Sequence, residues 1–440
     1  MLQGAVEGCC VLDLVPAQGD PHGASSHEGC PYAWQRITPG DKTRFLEYHR
    51  GVPHAKRAGQ AVLNPSMTSD KTNARVTLQL DAMTYGGEAI GRLDGKAIFA
   101  RGGIAGEQVL AQVIKDRGHF AWATVVDVLG PSPDRVRPRC PYFGFEAKSC
   151  GGCHWQHIDY AAQLRWKTEI VREQLRRIGR IPQAPVREAI PSPDVWAYRN
   201  HARFSIAPDG RPGFQAAHSN RVIPIDECHI VQPPILERLH SFNKDPGVER
   251  LDVRSFQSSI MVKGVAFHVS GDSFFQVNTS LLQTLVDQVV HRLALQGGEA
   301  VLDAYCGVGL FSRFVAQRAG RVIGIESGSS AIEDARRNLA EFDQVDLHEG
   351  LVEDLLPVLD EKIDAAIFDP PRAGCGDKVI QAVLDHQIER LVCVSCDPST
   401  LARDARQLMD GGYGLVDVQP LDMFPHTFHI ETISTWVRCR

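Results

Sequence analysis

From Arg75 onward, apolar and polar positions alternate in short runs. Val76, Leu78 and Leu80 alternate with Thr77, Gln79 and Asp81 until Gly86-Gly87 breaks the pattern. Ala97–Ala100, Gln108–Ile114 and Ala121–Val128 continue it, punctuated by Gly91, Gly95, Gly102, Gly103 and Gly106. Short strands at this spacing predict a small β-barrel of about sixty residues, ended by a Pro131-Ser132-Pro133 linker. The period then lengthens, with Leu164, Val171, Leu175 and Ile178 on one face of a helix over 160–178. Beyond Gly271, buried strands at 301–303, 321–326, 365–369, 390–395 and 431–437 alternate with helices from about Leu310 and over 330–340. That alternation predicts an α/β domain with a doubly wound, mostly parallel sheet. Residues 1 to about 70 follow neither period, and we read them as a poorly ordered extension with Met67 as a second candidate start. The expected segments are 1–70 (extension), 71–132 (barrel), 133–269 (central α+β domain with a cysteine cluster) and 270–440 (doubly wound domain).

Composition narrows the class. At 440 residues the chain has room for two to four domains. No segment approaches the ~18 uncharged apolar residues of a membrane span, and Asp13 interrupts the one stretch resembling a signal sequence. Twelve cysteines in so long a chain fall far below disulfide-scaffold density, so reduced thiols in a cytoplasmic protein are expected. Cys9, Cys10 and Cys30 have no evident role. A net charge of −6 gives no global attraction to nucleic acid, so an RNA partner needs a local basic surface. Residues 161–205 offer one: nine Lys and Arg against four acids, with Trp166, Trp196 and Tyr198 interleaved. Arg199 and Arg203 are the arginines we assign to phosphate contact.

Asp303-Ala-Tyr-Cys-Gly307-Val-Gly309 ends a strand and opens a helix, where glycines let a ligand approach the backbone. Glu326 closes the next strand, placed to bind two ribose hydroxyls. No third glycine follows near Ser312, so the combination favours S-adenosylmethionine over NAD. Asp369-Pro-Pro-Arg372 follows a later strand at the same sheet edge. Arg372 stands where amine methylases carry an aromatic that stacks on the base. Cys396, at the end of the next strand, sits where a nucleophile is presented, whereas Cys393 reads as a core thiol. Thiolate addition to uracil C6 makes C5 nucleophilic toward a sulfonium methyl group. The C5 proton must then be removed, and Glu431 is the available carboxylate.

These residues closely resemble the RNA uracil-C5 methyltransferases, which make 5-methyluridine in tRNA and 23S ribosomal RNA. The likeness covers about residues 75–440 and is most specific in Leu421-Asp-Met-Phe-Pro-His426-Thr. It implies a Rossmann-like class I methyltransferase domain and an OB-like barrel similar to the TRAM RNA-binding module, which points to 23S rRNA before tRNA. By position it implies cofactor contacts at Gln276, Tyr305, Glu326 and Asp369, a nucleophile at Cys396 and a base at Glu431. Phe274, beside Gln276, is expected either to stack on the target base or to lie in the core. Leu310 and Gly350 stand where family members can carry cofactor-binding asparagines. The remaining alternatives are tRNA as substrate, a cytosine-C5 methylase and a non-catalytic RNA binder. Cys375, beyond Asp-Pro-Pro-Arg, reads as incidental to the cytosine chemistry.

Cys140, Cys150 and Cys153, with distant Cys228, form a three-plus-one thiol pattern that by itself allows zinc or an iron–sulfur cluster. The resemblance implies a [4Fe–4S] cluster, although the gap from Cys140 to Cys150 is longer than the family usually shows. A monomer with RNA as its partner, and no membrane contact, is expected.

Overall fold

The computed structural model describes residues 73–217, 219–242 and 248–439, so the expectations for the extension, Cys9, Cys10, Cys30 and Met67 lie outside the described residues. Strands β1 (Arg75–Met83), β2 (Ala89–Leu93), β3 (Lys96–Arg101), β4 (Gln108–Asp116) and β5 (Phe120–Gly130) close a barrel in the order β1-β2-β3-β5-β4. β3 and β5 run parallel, whereas the other pairs are antiparallel. The period-two pattern turns Leu78, Leu80, Ile98, Ala100, Val109 and Ala111 inward, all but excluded from water. The Pro131–Pro133 segment is held firmly to this barrel. Buried Glu107 accepts from Ser132 N and, at 2.6 Å, from Arg135 Nε, while Arg135 Nη2 donates to Gly102 O.

Helix α1 (Tyr160–Arg177) follows, its first turn capped by Asp159, which accepts from Ala161 N. Ile178 ends up exposed as the C-cap residue, leaving Val171 and Leu175 to anchor the buried face. Strands β6 (His201–Ile206), β7 (Pro212–Gln215), β8 (Val222–Pro224) and β9 (Arg250–Arg254) form a four-stranded sheet in the order β8-β7-β6-β9. Helix α2 (Pro233–His240) packs against β9, and β10 (Ser259–Val262) with β11 (Val265–His268) makes a separate hairpin.

Helix α3 (Thr279–Leu293) leads into β12 (Ala300–Ala304), α4 (Leu310–Val315), β13 (Arg321–Glu326), α5 (Ser329–Asn338) and β14 (Val345–Glu349). The chain continues through α6 (Val352–Leu355), β15 (Ala365–Phe368), α7 (Gly376–His386), β16 (Arg390–Ser395), α8 (Pro398–Asp410), β17 (Tyr413–Leu421) and β18 (Glu431–Arg438). The seven-stranded sheet runs β14-β13-β12-β15-β16-β18-β17, parallel except for the antiparallel insertion of β18. Strand order reverses between β12 and β15, so their carboxyl ends open the crevice in which such sheets bind ligands. α1 packs on α8, and Val186 and Ile190 bridge to Val418 and Leu421 of β17. The residues preceding the four-stranded sheet thus join the layer beside the large sheet. Among the described residues, no helix is long and apolar enough to cross a membrane.

Candidate active site

The crevice is lined by residues that the sheet order brings to one edge. After β12 the chain turns sharply, with Tyr305, Gly307 and Gly309 at φ of 62°, 56° and 83°. At Gly309 the left-handed backbone favours glycine, and an added Cβ would stand 2.8 Å from the Leu339 side chain, which would have to shift. Glu326, ending β13, accepts from Gly307 N at 3.0 Å and from Gly328 N at 2.7 Å, which fixes its carboxylate beside the turn. Asp303 is fully buried and accepts from Ser312 N and Oγ, while its Oδ1 has no partner among the described residues. Burial pushes Asp303 and Asp369 each up to about 7, and Asp303 adds to the push on Asp369.

Gln276 is buried, and its carbonyl accepts from Asn200 Nδ2 at 3.0 Å, tying the segment before α3 to the four-stranded sheet. Its neighbour Phe274 is 70 % exposed, which removes the core alternative for that ring. Leu310 is buried in the apolar cluster under α4, and Gly350 N donates to Glu326 O. Neither residue therefore offers a polar side chain to the crevice.

Cys396 and Glu431 meet through strand register. β16 and β18 pair antiparallel up to Ser395 opposite Thr432, so the next residue on each side sets Cys396 across from Glu431. Facing residues of such a pair lie about 5 Å apart at Cα. Burial raises the Cys396 thiol to about 11, with Glu431 adding to the rise and the Arg372 guanidinium opposing it. Burial likewise lifts Glu431 well above the carboxylate range, helped by Asp369 and opposed by Arg372. Cys396 also immediately precedes Asp397, the N-cap of α8, whose side chain accepts from Ser399 N and Thr400 N. Cys393 is buried within β16, and Cys375 precedes α7 with its N–H bonded to Asp404.

Sequence reasoning missed one contributor. Tyr85, in the turn between β1 and β2, brings the barrel to this centre, with its ring edge-on to Phe428 at 5.8 Å. In the sequence, the Gly86-Gly87 pair after it reads as a strand break and, with Tyr85, as part of the barrel's likeness to the TRAM module, not as a contact to this centre. The run 421–427 is clamped from several directions. Lys167 Nζ binds Asp422, Gln163 bonds both backbone and ring of His426, and the Trp196 ring stacks on His426 at 3.8 Å.

Most cations of the basic stretch are paired with carboxylates, although Arg165, Arg176, Arg187 and Arg203 keep more than half of their side chains exposed. Lys167 is fully buried against Asp422, Arg187 pairs with Asp417, Arg165 with Asp134, and Arg203 with Asp252. Arg172 and Arg176 pair within α1, with Glu169 and Glu173. Tyr198 is buried, its hydroxyl donating to Pro425 O, so it cannot stack on a base. The excess of cations is answered largely by carboxylates far away in the chain.

The four cysteines come together around a cavity that none of the crevice residues named above lines. Cys140, Cys150, Cys153 and Cys228 line one cavity of about 230 Å³, with Arg199 and Arg203 at its wall. Burial raises all four thiols, most strongly Cys153. Among the described residues, no three His, Cys, Asp or Glu side chains form a group arranged to hold a metal ion.

Known proteins are similar to this chain in sequence and in fold. Residues 301–392 match a methyltransferase domain family, and residues 356–437 match the tRNA (Uracil-5-)-methyltransferase family. An uncharacterized RNA methyltransferase of Halalkalibacterium halodurans is 32 % identical over 82 % of this chain and 96 % of its own length. One from Streptomyces coelicolor is 33 % identical over 81 % of this chain and 91 % of its own. The solved tRNA (uracil-54, C5)-methyltransferase of Pyrococcus abyssi, in complex with S-adenosyl-L-homocysteine, shares the fold at a TM-score of 0.64 and 24 % identity. That alignment covers 82 % of this chain and all of that one. With this identity, the crevice at the strand reversal and the cysteine–carboxylate pair at its floor, the chain belongs to the RNA uracil-5-methyltransferase family, enzymes that depend on S-adenosylmethionine.

Proposed function

We propose that this enzyme methylates C5 of uridine in 23S ribosomal RNA, with Cys396 as nucleophile and Glu431 as base. The observation that carries the reading is the register that sets these two residues opposite each other at the crevice floor. Gln276, Tyr305, Glu326 and Asp369 are the cofactor contacts, with Glu326 presenting its carboxylate to the ribose hydroxyls. S-adenosylmethionine supplies an electrophilic methyl group on a sulfonium. The Cys396 thiol gives up its proton to water and the thiolate adds to C6, moving the ring's π electrons toward O4 and C5. C5 would take the methyl group as the S–CH3 bond breaks and S-adenosylhomocysteine leaves; Glu431, ionised beside Arg372, then removes the C5 proton, and the electron pair returned to the ring expels the Cys396 thiolate. Arg372 faces both groups with a positive charge that favours their ionised forms. Exposed Phe274 offers a ring for a base swung out of its stack.

The barrel is read as an OB-like TRAM module, supported by its closed five-stranded order and its parallel β3–β5 pair. RNA contact is assigned to Arg199 and to the shallow groove lined by Arg203, Arg250 and Ser205. Cys140, Cys150, Cys153 and Cys228 are assigned to a [4Fe–4S] cluster. An all-thiolate set sharing one cavity suits iron–sulfur chemistry, and none of the proposed catalytic or cofactor residues lines that cavity.

Transfer RNA is the second reading, favoured by the family description that matches residues 356–437. Incubation with labelled S-adenosylmethionine and separate rRNA and tRNA, followed by nucleoside mass spectrometry, decides between them. Label in 5-methyluridine from 23S rRNA supports the proposal. Label confined to tRNA replaces it, and label in 5-methylcytidine overturns the uracil assignment.

A further inference from the structure

Residues 269–278 join β11 to α3 outside the named helices and strands, and they carry Phe274 and Gln276. The polar groups of such a segment need partners from elsewhere, and one face of α5 supplies them. Ser330, Asp334 and Asn338 recur every fourth residue and so share that face. Asn338 holds the residue just before the segment: its Oδ1 accepts from His268 N at 2.7 Å and its Nδ2 donates to His268 O at 2.9 Å. Asp334, 1 % exposed, accepts from Ser270 N and Ser270 Oγ, each at 2.7 Å, and from Ser273 Oγ at 2.6 Å. Because the Ser273 proton goes to Asp334, Ser330 donates to Ser273 Oγ, at 2.8 Å. Arg254 of β9 closes the clamp, donating to Ser270 O at 2.7 Å and to Ser273 O at 2.5 Å.

The same helix is tied to the other side of the crevice. Its N-cap, Gly328, donates its N–H to the Glu326 carboxylate at 2.7 Å, and Asn338 Nδ2 also donates to Val308 O, in the glycine turn, at 2.9 Å. We propose that Asp334 is a positioning residue for S-adenosylmethionine: by holding Ser270 and Ser273 it sets the segment that carries Gln276 in place relative to Glu326. The inference rests on Gln276 and Glu326 being cofactor contacts. A carboxylate shut off from water is costly unless its oxygens are hydrogen-bonded. Burial by itself raises the Asp334 pKa, and the bonds from Ser273 and Ser270, with the His268 ring beside them, more than reverse that rise. Asp334 is therefore an anion with acceptors at both oxygens. An asparagine there turns one acceptor into a donor that meets a serine donor, and the segment is released at that point.

The test compares the full-length wild type with Asp334→Asn and Ser273→Ala, each titrated with S-adenosylmethionine in a calorimeter without RNA. Both variants are expected to bind about three- to tenfold more weakly at the wild-type stoichiometry. KM for S-adenosylmethionine rises by a similar factor while kcat at saturating cofactor stays within about twofold. In the double variant the loss is smaller than the product of the two single losses, because both substitutions break the Ser273–Asp334 bond. A merely structural role lowers the amount of folded protein, which reduces stoichiometry and kcat and leaves Kd as it was. That pattern overturns the proposal, as does unchanged affinity in either folded variant or a double loss that is the full product. Where Asp334→Asn does not fold, Ser273→Ala, which removes one hydroxyl, decides alone, and wild-type affinity there overturns the proposal. Wild-type affinity in both Gln276→Ala and Glu326→Ala brings down the cofactor assignment instead, a separate result because those variants leave the Asp334 bonds in place.

Discussion

Lys167 and Asp422 form an ion pair 2.5 Å long in which neither side chain is exposed to solvent. The lysine also donates to Phe424 O, so one residue of α1 holds two points of the 421–427 run that leads to Glu431. Burial lowers the lysine's affinity for its proton, and Asp422 works against that loss. Removing either partner strands the other charge in an apolar interior, at a cost of about 3–5 kcal/mol. Asp422→Ala is therefore expected to lower unfolding free energy by that amount in urea titrations and to reduce methylation by loosening the base. A loss below about 1 kcal/mol, of the size seen for exposed pairs, means the two groups are not both charged.

Glu326 already accepts two backbone N–H groups in the free protein, so its carboxylate is oriented before a ribose arrives. Glu326→Ala should weaken S-adenosylmethionine binding by about 1–3 kcal/mol, the usual loss for charge-assisted hydrogen bonds. Titration calorimetry measures this directly. Unchanged affinity removes Glu326 from the ribose site and leaves it as a brace for the Gly307 turn.

Strand alternation made the barrel legible, and the strand–turn–helix around Gly307 and Gly309 made the crevice legible, because both are short-range patterns. β14 escaped notice because it is an edge strand. Val345–Glu349 is only half-buried and mixes acids with apolar residues, so no continuous apolar run marks it. The ion pairing of the basic stretch escaped for the opposite reason. Its neutralising partners Asp422, Asp417, Asp252 and Asp134 lie elsewhere in the chain, and Lys167 is separated from Asp422 by 255 positions. Composition within a window registers the cations and not the carboxylates that fold onto them. The contact of Tyr85 with Phe428 was illegible for the same physical reason: it depends on the barrel docking, which no local spacing encodes. Cys396 and Glu431, by contrast, each end or begin an apolar strand, and that signal was visible before their register was known.

For the cysteine cavity, protein purified without oxygen should be brown and contain about four irons and four sulfides per chain. Cys150→Ser should lose the colour and lower thermal stability together, since the cavity walls come from segments as far apart as Cys140 and Cys228. Iron and sulfide analysis with the visible spectrum checks this. Colourless anaerobic protein with one zinc per chain rejects the cluster.

Separating nucleophile from base needs two substitutions with different expected outcomes. Cys396→Ala should abolish methylation, because without addition at C6 the C5 carbon is too weak a nucleophile to attack a methyl group. Glu431→Gln keeps the shape of a side chain that is 3 % exposed but cannot accept a proton. Addition and methyl transfer then proceed, the C5 proton stays, and the Cys396 sulfur cannot leave. That variant should accumulate a covalent protein–RNA adduct carrying the transferred methyl, seen as a shifted band on a denaturing gel and absent from the Cys396→Ala, Glu431→Gln double variant. Normal turnover by Glu431→Gln assigns the base to another group. Failure to form any adduct while Cys396 is intact places Glu431 before methyl transfer, in accepting the thiol proton or holding the uracil. The adduct alone supports the order in which Cys396 acts first and Glu431 last.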